Sequence, residues 1–266
     1  MLQAQANLAL SRNLSFTMGA YAASTSAGRR FELPGMLIAD SGLDYAAFNS
    51  AVVPECLAAG PLLESIKQAI RYFDGVKRPW SCWVCDDLLA QDCHRAAAAL
   101  LWTHGLRLQA EHQGMIAESL QAARRKPPEL DMRPVLDEET QHDFAFICAQ
   151  VFSVPGWVAR GVYGQPGFWR GGLNGWVAYS RGRAVSIAAT AVAGGAVGVY
   201  SVGTLPDYRN RGLGEAVTRH AVASAMATIT NASANRLILQ STQSGIGLYR
   251  RMGFALATRV SVYMTS

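Results

Sequence analysis

Hydrophobic and β-branched residues are concentrated in residues 197–204, a pattern that predicts a buried strand. Pro206 and Asp207 interrupt this pattern, and both residue types favour turns. Apolar residues then return at helical spacing through residues 213–228. The pattern therefore predicts a strand, a turn and a helix in succession, and the other predicted elements can be placed around this unit.

The turn of this unit has the composition of an anion-binding site. Gly212 and Gly214 stand where the helix begins, and the lack of a Cβ lets a ligand approach the main chain closely. The first N–H groups of a helix have no partner within it and carry the positive end of its dipole. Arg209 and Arg211 add formal charge beside it. The turn is therefore predicted to bind a phosphate or pyrophosphate group.

Two common nucleotide motifs do not fit this turn. The dinucleotide fingerprint needs a third glycine and an acidic residue about 20 positions later. The third position is Val217, and residues 230–240 contain no Asp or Glu. A Walker loop needs Lys and then Ser or Thr after the second glycine, where this chain has Glu215 and Ala216. The turn is therefore not predicted to bind NAD, or ATP in the P-loop manner.

Both halves of the chain show alternating strand and helix patterns. In the first half, apolar residues of 62–73 recur on one helical face. The other N-terminal predictions are a short helix within 8–18 with Ser11 or Asn13 as its cap, strands 35–40, 46–53 and 80–84, a helix over 96–102 capped by Asp92, and two strands within 106–120 around Gly114. The C-terminal predictions are strand 131–135, a helix capped by Asp137, a long aromatic loop over 153–175, a hairpin of 175–180 and 184–192, strand 237–240 and a helix over 244–251.

A basic run and two prolines separate the two halves. Residues 121–129 read Gln-Ala-Ala-Arg-Arg-Lys-Pro-Pro-Glu, a composition that favours an extended, exposed linker. We therefore predict an N-terminal domain over 1–126 and a C-terminal domain over 131–266. The length of 266 residues allows two domains.

Composition narrows the class of protein. Hydrophobic residues make up 50% of the chain and charged residues 16%, values that predict a sizeable core and exclude a largely disordered chain. No apolar run is long enough for a membrane span, and no basic segment followed by an apolar core marks a secretory signal. We expect a cytoplasmic protein with no membrane partner. The net charge of +5 fits either an anionic cofactor or a nucleic acid.

Five cysteines give an odd count, which favours reduced thiols in such a chain. Cys82 and Cys85 have the spacing of a zinc motif, and Cys93-His94 follows. However, residues 81–85 read as a strand, in which residues three apart point to opposite faces. We therefore predict inert buried thiols and no metal site.

Two segments of the C-terminal half resemble the signature of the GNAT acyltransferase superfamily. Arg209-Asn-Arg-Gly212-Leu-Gly214 matches the acyl-CoA motif Arg/Gln-x-x-Gly-x-Gly/Ala between a strand and a helix. Downstream, residues 248–254 read Leu-Tyr-Arg-Arg-Met-Gly-Phe and resemble the "LY-x-x-x-GF" segment of the family. The predicted strand 237–240 lies between the two, as in the family. The resemblance covers about residues 131–266.

The resemblance implies an α/β (α+β) fold, an acyl-CoA co-substrate and direct attack of an amine on the thioester. The first half repeats the element order of the second but lacks the Arg-x-x-Gly-x-Gly motif. We therefore expect a tandem protein of two GNAT-like domains, each a mixed, mostly antiparallel sheet flanked by helices, whose N-terminal domain is degenerate. The aromatic residues of the 153–175 loop would either border the acceptor pocket or pack the halves together: Trp157, Tyr163, Phe168 and Trp169.

The resemblance also implies site residues. The backbone N–H of Val202 or Thr204 would polarise the thioester carbonyl, and residues 202–204 would pair with the pantetheine amides. Tyr249 matches the general acid that protonates the departing thiolate. The residues implied to bind acetyl-CoA or another acyl-CoA are Val202, Gly203, Thr204, Arg209, Asn210, Arg211, Gly212, Leu213, Gly214 and Thr242.

The chain departs from the family at two places. Thr242 stands where many members have Asn, and Gly245 where Ala is common, which puts the finer cofactor contacts and the acyl preference in doubt. No acidic residue lies on the strand 197–204, so the general base is not visible. Tyr200 is the only readily ionisable side chain there, and His220 is expected mid-helix without a catalytic role.

Three functions stay open from the sequence. The first is an N-acyltransferase that acts on a small-molecule amine. The second is the same fold with another acyl donor such as aminoacyl-tRNA, which the basic balance and Thr242 suggest. The third is a non-catalytic CoA-binding or interaction protein, and either a monomer or a homodimer fits the sequence.

Overall fold

In a computed structural model, residues 2–55, 58–229 and 234–265 are described. Helices and strands are interspersed along the chain, as the sequence predicts. The helices of this part are α1 (Leu2–Ala23), α2 (Ala59–Val76), α3 (Gln91–Thr103), α4 (Glu138–Phe152), α5 (Gly156–Tyr163), α6 (Pro166–Arg170), α7 (Leu213–Ala227) and α8 (Ile246–Arg251). The strands are β1 (Arg29–Leu33), β2 (Met36–Asp40), β3 (Asn49–Val52), β4 (Ser81–Cys85), β5 (Leu106–Ala117), β6 (Asp131–Pro134), β7 (Leu173–Ser180), β8 (Arg183–Ala193), β9 (Ala196–Thr204), β10 (Leu237–Ser241) and β11 (Ala255–Thr265).

All strands of the described chain form one sheet of 11 strands, in the order β1-β2-β3-β4-β11-β5-β10-β9-β8-β7-β6. Neighbouring strands are antiparallel except for the parallel pairs β3–β4 and β9–β10. The predicted mixed, mostly antiparallel α/β fold is therefore confirmed. The sheets of the two halves are joined edge to edge into a single sheet.

The last strands of the two halves are exchanged. β5, which ends the N-terminal half, pairs with β10 of the C-terminal half, from Leu237 opposite Ala117 to Ser241 opposite Gln113. β11, which ends the C-terminal half, pairs with β4 of the N-terminal half. β5 and β11 also pair with each other along most of their length. Each half therefore completes the sheet of the other. The boundary between the two predicted domains, 1–126 and 131–266, stays a prediction from the sequence.

Alternating side chains place the helices on two faces of the sheet. Gly198 and Tyr200 of β9 face α1, whereas Val197 and Val199 pack with α7 residues. The α1 face carries α1, α4, α5 and α6, whose buried side chains form the largest core cluster. The α7 face carries α7 and α8 beside β9 and β10. α2 and α3 cover β2, β3 and β4 with a separate cluster around Phe73 and Trp80.

Several boundaries differ from the sequence predictions. β5 is one strand with Gly114 inside it, because the chain stays paired with both neighbours there. The 46–53 segment starts with a 3₁₀ turn before β3. The cap of α3 is Ala90, so Asp92 lies in its first turn. Asp137 does cap α4, in a capping box with Thr140.

The predicted aromatic loop forms the two short helices α5 and α6. Three of its aromatic residues are buried on the α1 face: Tyr163, Phe168 and Trp169. Tyr21 of α1 stacks on Phe168 with ring centroids 5.3 Å apart. These rings therefore pack the two halves together, which was one of the two interpretations. Trp157 is exposed.

Helix α1 is longer than the sequence indicated and binds both halves. Ser11 and Asn13, the expected caps, lie in its interior. Ser11 Oγ donates to the Val53 carbonyl at 2.6 Å. Asn13 Nδ2 lies 3.1, 2.9 and 3.1 Å from the carbonyl oxygens that end β8 and start β9, those of Ala191, Ala193 and Ala196. Asn13 Oδ1 accepts from the Tyr200 hydroxyl at 2.7 Å.

Replacement of Asn13 by Ala is expected to lower the free energy of unfolding by about 2–3 kcal/mol, because buried carbonyls and a buried hydroxyl lose their partner. Urea denaturation followed by circular dichroism measures the change. Gln5→Ala on the exposed side of the same helix is the control, with an expected change within about 0.5 kcal/mol. Equal effects of the two substitutions would show that the Asn13 hydrogen bonds do not stabilise the packing of α1 on β8 and β9.

Candidate active-site cleft

A cleft of about 850 Å³ opens where β9 and β10 diverge. The two parallel strands are in register from Val197 opposite Leu237 to Val199 opposite Leu239, and the pairing ends there. β9 nevertheless continues to Thr204 and β10 to Ser241. The facing edges of both strands beyond Val199 therefore keep main-chain groups that can pair with an extended ligand.

A β-bulge at Ser201 shapes the floor of the cleft. Ser201 has φ 49°, in the left-handed region that residues with a Cβ rarely adopt. Across from it, Ala189 pairs with Tyr200 and Ile187 pairs with Gly203, so β9 has one residue more than β8 over this interval. An extra residue re-aims the side chains that follow it. Val202 accordingly packs on the α7 face, although Tyr200, two residues earlier, packs against α1.

The predicted anion turn lies at one end of the cleft. Gly212 caps α7 with φ 81°, which favours glycine. The first hydrogen bond of this helix runs from the Ala216 N–H to the Gly212 carbonyl at 3.0 Å. The N–H groups of Leu213, Gly214 and Glu215 precede it and have no carbonyl within the helix to bond. A Cβ on Gly212 would meet its nearest atom at 3.8 Å, so the approach to this corner is open.

The two arginines of the turn are held by its main chain. Arg209 Nε donates to the Thr204 carbonyl at 3.2 Å, and Arg211 donates to the Asp207 carbonyl at 2.8 Å. Arg211 also lies over the Tyr208 ring, 5.5 Å from its centroid. Both guanidinium groups are therefore positioned next to the free amides of the helix start, an arrangement that suits a phosphate group.

A second groove of about 570 Å³ adjoins this corner and is strongly basic. The linker forms one of its walls and the start of α7 the other. Six cationic side chains line it: Arg124, Arg125, Lys126, Arg211, Arg219 and Arg251. Glu215 is the acidic residue among its lining residues, and it pairs with Arg219 at 2.8 Å. The groove therefore extends the positive potential of the corner and suits further phosphate groups.

Nearly all of the site residues predicted from the sequence line the cleft. From β9 to α7 these are Val202, Gly203, Thr204, Arg209, Asn210, Gly212, Leu213 and Gly214, and from β10 to α8 they are Thr242 and Tyr249. Arg211 faces the basic groove instead. Thr242 Oγ1 lies 3.0 Å from Ser244 Oγ at the exposed rim. The structure thus brings the two motif segments together, and their roles remain proposals.

The Tyr249 ring lies at the junction of the cleft and the α7-face core. Its side chain is largely buried and contacts the Phe254 ring edge-on at 5.9 Å. Burial raises the pKa of the Tyr249 phenol above its ordinary value, so the hydroxyl is protonated at neutral pH. A Cβ on Gly245 would lie 3.0 Å from the Tyr249 ring and 2.8 Å from Ser241 Oγ, so this glycine leaves room for the ring.

Tyr200 does not supply the missing base. Burial raises the pKa of its phenol, and its hydroxyl donates to Asn13. His220 lies against the Trp176 ring at 4.2 Å, on the side of α7 that packs on the sheet, and is not among the residues that line the cleft. The N-terminal half also contributes Trp83 and His112 to the cleft, a contribution that the sequence did not predict. Strand pairing across the halves brings these two residues there, and no local motif marks them.

One buried donor in the cleft makes no well-formed hydrogen bond among the described residues. Gln240 lines the cleft at the end of β10, and its Nε2 atom is buried with no well-formed hydrogen bond among the described residues, although its side chain lies close enough to the Tyr200 phenol to influence that group. Such a group costs free energy unless a ligand or water satisfies it. It therefore marks this end of the cleft as a place where a polar ligand group would bind favourably.

Four of the five cysteines lie in the described part of the chain, and all four are buried. Cys82, Cys85, Cys93 and Cys148 are buried and form no disulfide, whereas Cys56 lies outside the described residues. Burial raises the pKa of the Cys82 and Cys148 thiols to about 12 and that of Cys85 to about 11. Across 2–55, 58–229 and 234–265, no group of three or more His, Cys, Asp or Glu is placed to hold a metal ion. In the same ranges, no helix combines the length and apolar character needed to cross a membrane.

Comparison with known families places a GNAT domain in the C-terminal half. Residues 171–256 match the family model described as "Acetyltransferase (GNAT) domain". This segment contains both motifs identified in the sequence, so the resemblance to this superfamily is confirmed there. No curated protein sequence gives a significant match to the chain.

Solved structures share the fold over nearly the whole chain at low sequence identity. A GCN5-related N-acetyltransferase from Kribbella flavida is 18% identical, with a TM-score of 0.67 and coverage of 89% of each chain. A functionally unknown conserved protein from Staphylococcus epidermidis is 12% identical, with a TM-score of 0.59, covering 88% of this chain and 92% of its own. A tandem GNAT protein from the clavulanic acid biosynthesis pathway is 14% identical, with a TM-score of 0.55, covering 91% of this chain and 80% of its own. The fold of the whole chain is therefore that of GNAT structures, with a tandem protein among them.

Gly212→Ala is expected to lower the free energy of unfolding by about 1 kcal/mol, because the left-handed cap conformation disfavours a Cβ and no clash adds to the cost. Gly75→Ala is the control, since Gly75 lies inside α2 with open space around it. The control is expected to raise the stability by about 0.5–1 kcal/mol. Urea denaturation measures both, and a neutral Gly212→Ala would mean that the corner tolerates another backbone conformation.

Proposed function

We propose that this protein is an N-acyltransferase that moves an acetyl or related acyl group from acyl-CoA to the amine of a small molecule. The observation that carries the proposal is the alignment of two features in one cleft. Unpaired main-chain edges follow Val199, and the start of α7, with its free amides and the nearby Arg209, lies beyond the end of the same strand. The GNAT domain match over residues 171–256 supports the same reaction class.

The residues present fit an acyl-CoA. Residues 202–204 would bond the pantetheine amides as an added strand, because β10 has turned away from this part of β9. The N–H groups of Leu213, Gly214 and Glu215, together with Arg209, would hold the pyrophosphate. The basic groove with Arg211 and the linker would accept the nucleotide end and its phosphate. Acyl-CoA would supply the activated thioester carbonyl.

The protein groups then act on charge and protons. A main-chain N–H of Val202 or Thr204 would bond the oxyanion that develops on the carbonyl oxygen during attack. Tyr249, held protonated by burial, would donate its proton to the sulfur as the C–S bond breaks. Direct attack needs no cysteine nucleophile, which fits the buried thiols of Cys82, Cys85 and Cys148, whose pKa values are raised.

A second candidate is the same transfer from a tRNA-borne acyl group. The basic groove favours it, since six cationic side chains would suit an RNA backbone as well as a nucleotide phosphate. Nuclease treatment distinguishes the donors. Loss of activity in a lysate on RNase addition would support the tRNA donor, whereas full activity of the purified protein with acyl-CoA alone would exclude the need for it.

Arg209→Ala combined with Arg211→Ala is expected to raise the dissociation constant for CoA about 30-fold, because each exposed guanidinium–phosphate contact contributes roughly 1 kcal/mol. Isothermal titration measures it. Arg71→Ala with Arg95→Ala removes the same charge from exposed helix positions elsewhere and is expected to leave the constant unchanged. An unaltered constant in the first variant would argue against this phosphate site.

Tyr249→Phe is expected to lower kcat by about 100-fold with unchanged CoA affinity, because the ring still packs but the proton donor is gone. Thiol release from acetyl-CoA measures kcat. Tyr263→Phe, a buried tyrosine in the α2 core outside the cleft, is the control and should keep full activity. If both variants are fully active, another group or water protonates the sulfur.

A further inference from the structure

The α1-face side of the cleft is built largely by the N-terminal half. α1 contributes two apolar side chains, and β4 and β5 contribute an aromatic pair. The end of α4 adds two apolar residues, of which Phe152 is exposed at the rim. The lining residues on this side include Leu14, Met18, Trp83, His112, Val151 and Phe152.

Strand pairing leads from β9 through β10 to β5, the strand that carries His112. Val199, Leu239 and Met115 stand in one row across β9, β10 and β5. Beyond this row β9 and β10 diverge, while β5 stays paired with β10 as far as Gln113 opposite Ser241. His112 follows on β5, and it lines the same cleft as Val202 and Thr242. The exchanged strand β5 therefore contributes His112 to the cleft that also contains the segment 202–204, where the acyl carbonyl would lie.

The His112 ring is held by stacking and lies in a nearly uncharged environment. It lies parallel to the Trp83 indole, with centroids 5.7 Å apart and an interplanar angle of 18°. Burial lowers the pKa of the His112 imidazole below its ordinary value of 6.5, so the ring is neutral at pH 7. Neutral imidazole has one nitrogen that can accept a proton.

The neighbouring titratable groups do not compete with His112 near neutral pH. Tyr21 of α1 and Cys85 of β4 are buried, with pKa values raised to about 12 and about 11. Tyr200 of β9 is likewise protonated. Glu111 precedes His112 on β5, and its carboxylate pairs with Arg259 of β11 at 3.2 Å. Arg259 also pairs with Asp86, at 2.6 Å.

The distribution of carboxylates limits the acceptor. Among the described residues that line the cleft, Glu215 is the one carboxylate, and it lies at the phosphate corner in the first turn of α7. The α1-face side therefore has no negative charge to hold an ammonium group or a second cation. Its lining of Leu14, Met18, Trp83 and Phe152 instead suits an apolar or aromatic group.

We propose that the N-terminal half completes the active site: it binds an amine carried on an apolar or aromatic group, and His112 takes the proton of that amine. This inference rests on the proposed acyl transfer. The ammonium gives one proton to the free imidazole nitrogen, and the resulting amine forms the C–N bond to the thioester carbon. The C–S bond then breaks, and Tyr249 protonates the sulfur. The nitrogen loses its second proton to solvent, and Tyr249 regains its own proton from solvent. His112 releases its proton to solvent, so one proton in all is produced.

The first test uses His112→Gln and His112→Phe with acetyl-CoA and 2-phenylethylamine. Both variants are expected to lose about 100-fold in kcat/KM at pH 7 while CoA affinity is unchanged. His112→Phe keeps a ring stacked on Trp83. If His112 acted only through this stacking, His112→Phe would keep native activity, and that result would overturn the proposal. His104→Gln, an exposed histidine after α3, is the matched control.

The pH profile separates a proton-transfer role from a structural one. In the native protein, kcat/KM is expected to rise as pH increases through the lowered pKa of His112 and then to level off. In His112→Gln the rate is expected to keep rising with pH as free amine accumulates, so the deficit shrinks under basic conditions. A parallel, uniformly lowered profile would overturn the role of His112. No thiol release by the native protein with any amine would instead reject the proposed function itself.

The acceptor class is tested with the native protein and two amines. 2-Phenylethylamine is expected to give a kcat/KM at least about tenfold above that of spermidine, which carries further cations that this side cannot neutralise. Trp83→Ala is expected to raise the KM for 2-phenylethylamine without changing CoA affinity. Preference for spermidine, or an unchanged KM in Trp83→Ala, would overturn the assigned acceptor class.

Discussion

The separation of two parallel strands is the feature on which the candidate site depends. β9 and β10 share main-chain hydrogen bonds only as far as Val199 and Leu239, and the bulge at Ser201 turns β9 away. Parallel strands that diverge leave donors and acceptors that need another partner. An extended ligand with amide groups can provide that partner. The start of α7 at Gly212 lies beyond the end of β9, where it suits a negatively charged group at the far end of such a ligand. The geometry of the cleft follows from unsatisfied backbone more than from any single side chain.

The strand exchange explains how both halves of the chain line one cleft, although only the C-terminal half has the Arg-x-x-Gly-x-Gly motif. β5 is paired on one side with β10 and on the other with β11, so neither half has a complete sheet without the other. Asn13 adds a buried polar contact from α1 to the β8–β9 turn, and the Tyr21–Phe168 stack joins the halves on the same face. Because the halves share backbone hydrogen bonds, the N-terminal half cannot move away from the cleft without breaking the sheet. A half that lacks the phosphate motif thereby gains a structural role in the site.

Burial sets the protonation of the groups around the cleft. Tyr21, Tyr200 and Tyr249 all have pKa values raised by desolvation, and the buried thiols follow the same rule. Desolvation penalises the charged form of each group, so acids stay protonated while the imidazole of His112 stays neutral. The same apolar surroundings thus keep a phenol able to donate a proton and an imidazole able to accept one. Positive charge is concentrated at the other end of the cleft, where the arginines of the basic groove adjoin the free amides at the start of α7.

The sequence alone determined most local elements and predicted the acyl-donor side of the candidate site. Alternating and helical periodicity identified β2, β4, β6 to β10, α2, α3 and α7. The spacing of Arg209, Gly212 and Gly214 predicted a phosphate-binding turn at the start of α7. Both kinds of signal depend on residues close together in the chain. Only the tertiary structure decided the single sheet, the exchange of β5 and β11 and the packing of the aromatic segment 153–175. Strand partners far apart in sequence are selected by backbone pairing and shared burial, which leave no local pattern. For that reason Tyr249 could be named from a motif, whereas His112 and Trp83 became visible only when β4 and β5 took their places beside the cleft.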